Sequence, residues 1–355
     1  MVEQDTVGQA QMRLESVPLV RGRALSIGAT GSLYISRGYS IFRSSDGGRE
    51  WHLDCRVPAA GWQPLAAQSA LAARLLRFNI QALQVLPDGA RVAVARDGIY
   101  RAEPGEPEMR RTWAVERGSR PINLSAEGTR LLFGEYGGAE MDRVRVRIYC
   151  SEDGGRHFDV VHELPKGDVH HIHNVVVDAY AGHYWVLAGD HGRTPGIAAL
   201  SRDCRHLDWV ERGDQMVRAV NLLVRPDCLI YGSDSEVEPN YIVRLDKRSG
   251  RYQRIAALNG SSLYAADFGQ LGAISTCVEP SRVNRGRQAG VYTSVDGENW
   301  FEPFFAKKDR WHAALFQLGL IVLPYVQSRD PKHGMFSGQA VVHHHDRINL
   351  FRLGG

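Results

Sequence analysis

The chain has 355 residues and a formal net charge of +3, and 43% of its residues are hydrophobic. This length and hydrophobic content allow a large folded core, either as one repeat fold or as two ordinary domains. The nearly balanced charge, without a dense run of Lys or Arg, argues against a nucleic-acid partner or a membrane surface.

The amino-terminal stretch and the cysteines bear on the cellular compartment. Residues 1–21 lack the apolar core of a signal peptide, and no apolar run approaches transmembrane length. Five cysteines are scattered without a metal-binding spacing: Cys55, Cys150, Cys204, Cys228 and Cys277. An odd number of dispersed cysteines favours reduced, buried thiols. The sequence therefore predicts a cytoplasmic protein.

A recurring order of short strands runs along the chain. Each unit reads strand, tight turn, strand, polar loop, strand, outer turn and strand, with a period of about 50 residues. We predict an all-β, single-domain propeller of four-stranded antiparallel blades over residues 1–355, with seven blades, or six as the alternative. The predicted blades span 20–78, 79–118, 119–166, 167–213, 214–258, 259–309 and 310–353. Residues 11–20 are expected to pair with the last blade and close the ring, and residues 69–77 to form a short amphipathic helix.

A short motif repeats at the predicted outer turns. Ser44-Ser45-Asp46-Gly47-Gly48-Arg49-Glu50-Trp51 returns as Ser151-Glu152-Asp153-Gly154-Gly155-Arg156-His157-Phe158. Imperfect copies begin at Ser294, where the motif is one residue short, and at Ser201, where the aromatic residue Trp209 comes one position late. The Asp side chain can accept backbone N–H groups, the Ser adds a second local hydrogen bond, and Gly accepts a positive φ. The motif therefore predicts a tight turn with an aromatic residue packed behind it.

This pattern resembles the Asp-box, or BNR repeat, of the sialidase-like β-propellers. The resemblance implies a propeller in which the box lies on the outer turn of a blade, away from the active site. Sialidases also carry an Arg-Ile-Pro signature and have six blades. This chain has no Arg-Ile-Pro, and we count seven blades, so classical sialidase activity is not expected.

The predicted site lies on the face formed by the loops between second and third strands. These loops are long and polar from the third blade onward. The segment Asp168-Val169-His170-His171-Ile172-His173 enters the innermost strand of blade four, where strand alternation places His171 and His173 on one side. Asp190 and His191 occupy the same blade's loop. These groups could act as acid and base, and His171, His173 and His191 could bind one divalent metal ion.

Further residues complete the predicted site. Glu135 and Glu279 each follow a strand and could act as the carboxyl pair that glycoside hydrolysis requires. We expect substrate contacts from Tyr136, Glu236, Arg218, Trp311 and His312. Arg218 would pair with a substrate carboxylate, and Trp311 would stack on a sugar from the innermost strand of blade seven. His343-His344-His345 is predicted to lie at an outer turn, away from the site.

Two classes of function remain open from the sequence. The first is an enzyme, either a glycoside hydrolase or a lyase, acting on an acidic glycan. The Asp168-x-x-His171-x-His173 spacing is similar to the ligands of propeller lyases of the oligogalacturonate type, which implies a metal beside a uronate. The second is a non-catalytic BNR propeller that binds glycans or assembles proteins. The sequence does not indicate an oligomeric state.

Overall fold

Antiparallel units of four strands build the protein. The computed structural model describes residues 12–15, 20–59, 61, 74–76 and 78–353. Blades 1 to 3 are β2–β5 (Arg23–Ile27, Leu33–Arg37, Ser40–Ser44, His52–Arg56), β6–β9 (Ile80–Val85, Arg91–Ala95, Gly98–Ala102, Arg110–Ala114) and β10–β13 (Ser125–Glu127, Arg130–Gly134, Val146–Ser151, Asp159–Leu164). Blades 4 to 6 are β14–β17 (Ile172–Asp178, His183–Ala188, Gly196–Leu200, Leu207–Arg212), β18–β21 (Leu223–Val224, Cys228–Gly232, Tyr241–Asp246, Tyr252–Ala257) and β22–β25 (Ser262–Asp267, Gly272–Val278, Gln288–Ser294, Phe301–Lys307).

Blade 7 combines strands from both ends of the chain. It contains β26 (Gly319–Val322), β28 (His333–Gln339), β29 (Ile348–Arg352) and β1 (Arg13–Leu14), while β27 (Tyr325–Val326) pairs with β2 of blade 1. The predicted all-β propeller of four-stranded blades is thus confirmed, and the strand grouping is consistent with seven blades. The described helices are short: 3₁₀ turns at Ala139–Arg143 and Gln215–Val217, and α1 at Ala313–Phe316. Within the described ranges, no helix has the length and apolarity to cross a bilayer.

The amino-terminal strand closes the ring, as predicted. Strand β1 pairs antiparallel with β29, with Leu14 opposite Phe351. Since β1 supplies the outermost strand, β26 is the innermost strand of blade 7 rather than its second. The predicted assignment of this blade is therefore displaced by one strand. Residues 325–338 form β27, a turn and β28, not a loop of the site face.

Two further expectations concern connecting segments. His343-His344-His345 lies in the loop between β28 and β29, the second and third strands of blade 7. This loop contacts the connection from blade 6 to blade 7, because Asp309 donates its backbone N–H to the Ala340 carbonyl and Lys308 forms a β-bridge with Val341. It therefore lies on the site face, and its predicted position at the opposite end is wrong. Of the predicted helix at 69–77, residues 74 and 75 are helical, and the rest lies mostly outside the described residues.

Apolar side chains between neighbouring blades form the core. Inner strands such as β2, β7 and β23 are buried along their whole length, because a blade packs on each of their faces. Outermost strands such as β9 are largely exposed. One cluster joins Leu25 and Ile41 of blade 1 to Ile80 and Leu83 of blade 2. The five cysteines are buried and free, as predicted.

The four Ser-x-Asp turns, which begin at Ser44, Ser151, Ser201 and Ser294, connect third to fourth strands at the end opposite the site face. In the second turn, Ser151 Oγ donates to Asp153 Oδ1 (2.8 Å), and that oxygen accepts the backbone N–H groups of Arg156 and His157 (3.0 Å each). Gly155 has φ 84°, and a Cβ there would lie 2.9 Å from the Leu131 side chain. The predicted hydrogen bonds and the need for glycine are therefore confirmed.

Substituting the central aspartate is expected to destabilise this turn. We expect Asp153→Ala to lower the free energy of unfolding by about 1 kcal/mol, because the backbone N–H groups lose their acceptor, as at a helix cap. Partial burial alone would raise the pKa of the Asp153 carboxyl, but bonds from His157 and Ser151 hold it well below its usual value. A lowered folded-state pKa gives stability that is complete above the unfolded pKa and is lost as pH falls.

Urea unfolding at pH 7 and pH 3 tests this account of the turn. The difference between wild type and Asp153→Ala should be smaller at pH 3. The exposed Asp159 begins the next strand, so Asp159→Ala serves as a control with little expected change. An unchanged difference at pH 3 would contradict the role assigned to the ionised carboxylate.

Candidate functional site

Loops from blades 3 to 6 bring together a cluster of ionisable side chains on the site face. The loops follow β11, β15, β19 and β23, and the segments that enter β14 and β18 complete the set. We call this group the funnel cluster. Its members are Tyr136, His171, His173, Asp190, Arg218, Asp234, Glu236 and Glu279.

Asp190 lies at the centre of the funnel cluster. His173 Nε2 lies 3.0 Å from Asp190 Oδ1, His171 Nε2 lies 3.2 Å from Oδ2, and Arg218 Nε lies 3.2 Å from Oδ1. Burial alone would raise the pKa of the Asp190 carboxyl, but the two imidazoles hold it far below its usual value. Asp190 is therefore a carboxylate at neutral pH. The predicted proximity of His171, His173 and Asp190 is what the structure shows.

The other nitrogen of each histidine faces a backbone carbonyl. His171 Nδ1 lies 2.8 Å from the oxygen of Gly137, and His173 Nδ1 lies 2.9 Å from the oxygen of Ala219. A β-bulge between Ile172 and Asn174 places His173 at the register shift of β14. The two rings lie 4.8 Å apart between centroids. Hydrogen bonds therefore hold His173 from both sides, and His171 through its Nδ1 atom.

Arg218 is enclosed by carboxylates. Besides Asp190, its NH2 group lies 3.4 Å from Asp234 Oδ2 and 3.5 Å from Glu236 Oε1. Arg218 lies between the 3₁₀ turn Gln215–Val217 and β18, and only 5% of it is exposed. A guanidinium engaged in this way is not free to pair with a substrate carboxylate, the role predicted from the sequence.

The funnel cluster has a buried layer and a half-exposed layer. His171, His173, Arg218 and Asp234 are each no more than 5% exposed. Tyr136, Glu236 and Glu279 are half-buried. The layers therefore differ in access: a ligand arriving from solvent meets the carboxyl groups and the phenol first.

Burial shifts the pKa of several cluster groups. It raises the pKa of Asp234 to about 7, against the pull of the Arg218 charge. It also raises the pKa of Glu279, with a further increase from the neighbouring Glu236 carboxylate. Burial and the Asp190 charge raise the pKa of Tyr136 to about 12. The cluster thus contains an ionised carboxylate beside carboxyl groups that hold their protons at higher pH, the usual arrangement for acid and base.

Several buried polar atoms of this cluster have no hydrogen-bond partner among the described residues. They are His171 Nε2, Arg218 Nε and Asp234 Oδ1. The first two lie within 3.2 Å of Asp190, yet outside hydrogen-bonding geometry. Unsatisfied buried polar atoms are costly and call for an explanation, which a functional role can supply.

Four predicted site residues lie outside the cluster. Glu135 is 5% exposed and forms a bidentate ion pair with Arg117 (2.6 and 2.9 Å), which fixes the loop instead of facing a ligand. His191 is exposed, with its ring 6.1 Å from that of His170. Trp311 and His312 precede α1 and lie in the connection to blade 7, not on its innermost strand, which begins at Gly319.

Sequence reasoning missed two participants. Asp234 directly follows the small residues Gly232-Ser233 at the end of a strand. Glu279 was selected because it follows a strand in the same way, so this signal could also have identified Asp234. His170, placed by alternation on the opposite side, has ligand atoms close to those of His171 and Asp190, and its Nδ1 lies 2.9 Å from Asp142 Oδ1. Alternation fails here because His170 precedes β14 and has loop geometry.

A cavity of about 1540 Å³ opens at the opposite end of the ring. The turns after the innermost strands line it, and its charged groups form ion pairs, Arg91 with Asp54 (2.9 Å) and Arg225 with Asp267. Gln84 donates to the Leu124 carbonyl (2.6 Å). Two of these charged atoms, Arg91 Nε and Asp54 Oδ2, have no hydrogen-bond partner in the described part of the chain. Size alone favours this cavity, but the histidines and the carboxyl groups with strongly shifted pKa values lie in the funnel cluster. We therefore assign the chemistry to the funnel cluster.

Comparisons with known proteins identify the fold. No protein-family model and no curated protein sequence matches this chain. A GH74 xyloglucanase from Xanthomonas campestris matches with TM-score 0.60 and 16% identity over 93% of this chain and 52% of its own. YCF48 from Cyanidioschyzon merolae matches with TM-score 0.57 and 11% identity, covering 96% of this chain and 98% of its own. A chain of the mitotic checkpoint complex matches with TM-score 0.57 and 8% identity, covering 100% and 97%.

These structural similarities show the fold of the chain and not its function. This chain spans about half the length of the xyloglucanase that it matches. At such low identity the shared feature is the architecture, and function has to be argued from the site itself. The chain is therefore similar to several β-propellers of different kinds.

Proposed function

We propose that this propeller hydrolyses a glycosidic bond in an acidic glycan, with Glu279 and Glu236 as the reacting carboxyl groups. The observation that carries the proposal is their placement. Both are half-buried on neighbouring loops of the site face. Glu236 Oε1 lies 3.5 Å from Arg218, and the Arg218 charge also acts on Glu279. Two carboxyl groups flanking a sugar are the machinery that most glycoside hydrolases use.

The two carboxyl groups have different environments, which suggests their roles. Glu279 has the raised pKa, because of burial and the adjacent Glu236 charge. Glu279 would therefore donate its proton to the leaving glycosidic oxygen. Glu236, with a side chain 41% exposed, would act on the opposite side, as nucleophile or as the base that activates water. Overall, the C–O bond breaks, and water supplies a hydroxyl to the sugar and a proton to the leaving group.

Exposed arginines support an acidic substrate. Arg193 lies on the loop that carries Asp190, while Arg282 and Arg285 lie on the loop that carries Glu279, and all three are exposed. Guanidinium groups pair well with carboxylates. The similarity to a xyloglucanase supports a glycan as the substrate class. The sugar that this protein recognises has to be found by screening.

A lyase is less well supported than a hydrolase. A lyase needs a base that reaches a proton on the sugar ring. His171 and His173 are 2% and 3% exposed, and their Nε2 atoms face Asp190. Tyr136, the more accessible candidate, keeps its proton because its pKa is raised to about 12.

The second candidate function is a binding or assembly propeller of the BNR type. The observation favouring it is the deep burial of His171, His173, Arg218 and Asp234, which a purely structural ion network would also show. The four Ser-x-Asp turns support membership of the sialidase-like BNR family under either function. The cytoplasmic location stays a prediction.

Activity of carboxamide variants tests the proposed function. We expect the wild type to release reducing ends from at least one member of a panel of uronate- and sialate-containing oligosaccharides. Glu279→Gln should lose at least about 100-fold in rate, because a carboxamide cannot donate the proton. The wild-type rate should fall as pH rises through the pKa of Glu279, which lies above the ordinary 4.5.

Glu238→Gln, on the same loop as Glu236, is the matched control and should keep the wild-type rate. Equal activity of Glu279→Gln and wild type would overturn the assigned role. Glycan binding without any cleavage would favour the binding propeller.

A further inference from the structure

We propose that Asn284 is a positioning residue that sets the separation of Glu236 and Glu279. This inference rests on the proposed function, because it assigns how the two reacting carboxyl groups are held. Asn284 lies on the loop between β23 and β24 and is 6% exposed. It acts through hydrogen bonds to the segments that carry the two glutamates, without contacting the sugar.

One amide nitrogen of Asn284 links the surroundings of both glutamates. Asn284 Nδ2 donates to the Ser235 carbonyl (2.9 Å), and Ser235 directly precedes Glu236. The same nitrogen donates to Ser261 Oγ (3.2 Å). Burial raises the pKa of the Glu279 carboxyl, and a hydrogen bond with the Ser261 side chain opposes that increase. The two protons of a single side-chain amide therefore connect the two carboxyl groups.

Asn240 holds Asn284 from the neighbouring loop. Asn240 lies at the end of the loop that carries Glu236, and its Nδ2 donates to Asn284 Oδ1 (3.0 Å) and to the Ser235 carbonyl (2.8 Å). Its Oδ1 accepts the backbone N–H of Ser235 (2.7 Å) and the hydroxyl of Ser233 (2.9 Å). The Asn240 amide thus makes all four of its hydrogen bonds.

Only one orientation of the Asn284 amide satisfies this network. Rotating the amide by half a turn would place Oδ1 where Nδ2 now lies, 2.9 Å from the Ser235 carbonyl oxygen. It would also bring two NH₂ groups together at Asn240. Neither contact would then share a proton. A buried network whose members are all satisfied favours a single arrangement, so the spacing of the two loops is set by hydrogen bonds.

The two glutamates give this network something to oppose. Glu236 and Glu279 are half-buried, and the Glu236 charge contributes to the raised pKa of Glu279 after burial itself. Like charges at this range repel each other, which favours separation of the loops. Glycoside hydrolysis needs the separation of its two carboxyl groups to be fixed, because that distance decides the course of the reaction. Asn284 is the side chain that bonds to both sides.

Kinetics of Asn284→Ala separate positioning from stability. On an oligosaccharide that the wild type cleaves, we expect kcat to fall at least about 10-fold and KM to change less than about 3-fold, because misplaced reacting groups slow the chemical step. Asn349→Ala is the control and should keep the wild-type kcat. Asn349 is 8% exposed and bonds to His344 and the Arg347 carbonyl in blade 7. Equal kcat values for Asn284→Ala and Asn349→Ala would overturn the positioning role.

A titration of the carboxyl groups tests the proposal without a substrate. Glu279 is followed by ¹³C NMR in protein labelled at the glutamate carboxyl carbons. In the wild-type background, Glu236→Gln should lower the pKa of Glu279, because it removes the neighbouring like charge. In an Asn284→Ala background, we expect at most about half of that shift. Arg218 and Asp190, whose charges also act on Glu279, stay in every variant.

A second variant covers the case in which Asn284→Ala fails to fold. Asn284→Leu has a similar volume and adds no charge. An undiminished shift in a folded Asn284 variant overturns the proposal, as does a Glu279 pKa that does not respond to Glu236→Gln in the wild-type background. Absence of glycan cleavage would count against the proposed function, whereas the titration needs no cleavage, so the two fail separately.

Discussion

Replacing Arg218 with methionine is expected to lower the free energy of unfolding by about 3–5 kcal/mol. Arg218 is 5% exposed and faces Asp190, Asp234 and Glu236 at 3.2 to 3.5 Å. Methionine fills similar space but leaves buried carboxylates without a counter-charge. The loss therefore comes from unpaired charge more than from packing. Urea unfolding at neutral pH measures it.

Arg244→Met is the matched control for this prediction. Arg244 also pairs with two carboxylates, Asp227 (2.9 Å) and Glu298 (2.6 Å), but its side chain is 35% exposed and its partners are largely in solvent. Exposed pairs contribute about 0–1 kcal/mol. Equal losses of unfolding free energy in Arg218→Met and Arg244→Met would show that burial of the funnel cluster does not determine the loss of stability.

Asp178→Ala is expected to cost about 3–5 kcal/mol at a different place, the contact between blades 4 and 5. The Asp178 side chain is fully buried, accepts Trp185 Nε1 (2.8 Å) and pairs with Lys247 Nζ (2.6 Å). Burial alone would raise the pKa of Asp178, but Lys247 and Trp185 hold it below its usual value. Removing the carboxylate leaves the Lys247 ammonium, only 10% exposed, without its partner.

A double variant separates the causes of that loss. Asp178→Ala/Lys247→Met removes both charges, so we expect it to recover stability relative to Asp178→Ala alone. Thermal or urea unfolding of the wild type, the two single variants and the double variant completes the cycle. A double variant that is less stable than the single variant would assign the loss to the cavity and to the hydrogen bonds that Asp178 accepts from Trp185 and from the backbone N–H groups of Tyr180 and Ala181.

The Ser-x-Asp turns were predictable because their structure is local. Ser151, Asp153 and Gly155 lie within five residues, and the hydrogen bonds that the sequence implies are the ones that form. Strand order followed from the repeated turns. The pairing of the amino-terminal segment with blade 7 was predicted, but the repeat did not predict the order of strands within this blade, since its fourth strand is β1, more than 330 residues away from β29 along the chain. A repeat period counted along the sequence does not reveal that the fourth strand of a blade comes from the opposite end of the chain.

The funnel cluster was predictable only in part. His171, His173 and Asp190 meet because strand entry and loop belong to one blade. Glu135 has the same sequence context as Glu279, but Arg117, which precedes β10 of its own blade, pairs with it. Such pairings between distant residues determine whether a carboxylate is structural or available, and they have no local sequence signal.

A crystal structure of Glu279→Gln with an oligosaccharide that the wild type cleaves tests the central claim most directly. The account predicts a glycosidic oxygen within hydrogen-bonding distance of residue 279, with Glu236 on the other side of the sugar and His171, His173 and Asp190 beneath it. An oligosaccharide seated instead in the cavity at the opposite end of the ring, among Gln84, Asn174 and Tyr325, would contradict it.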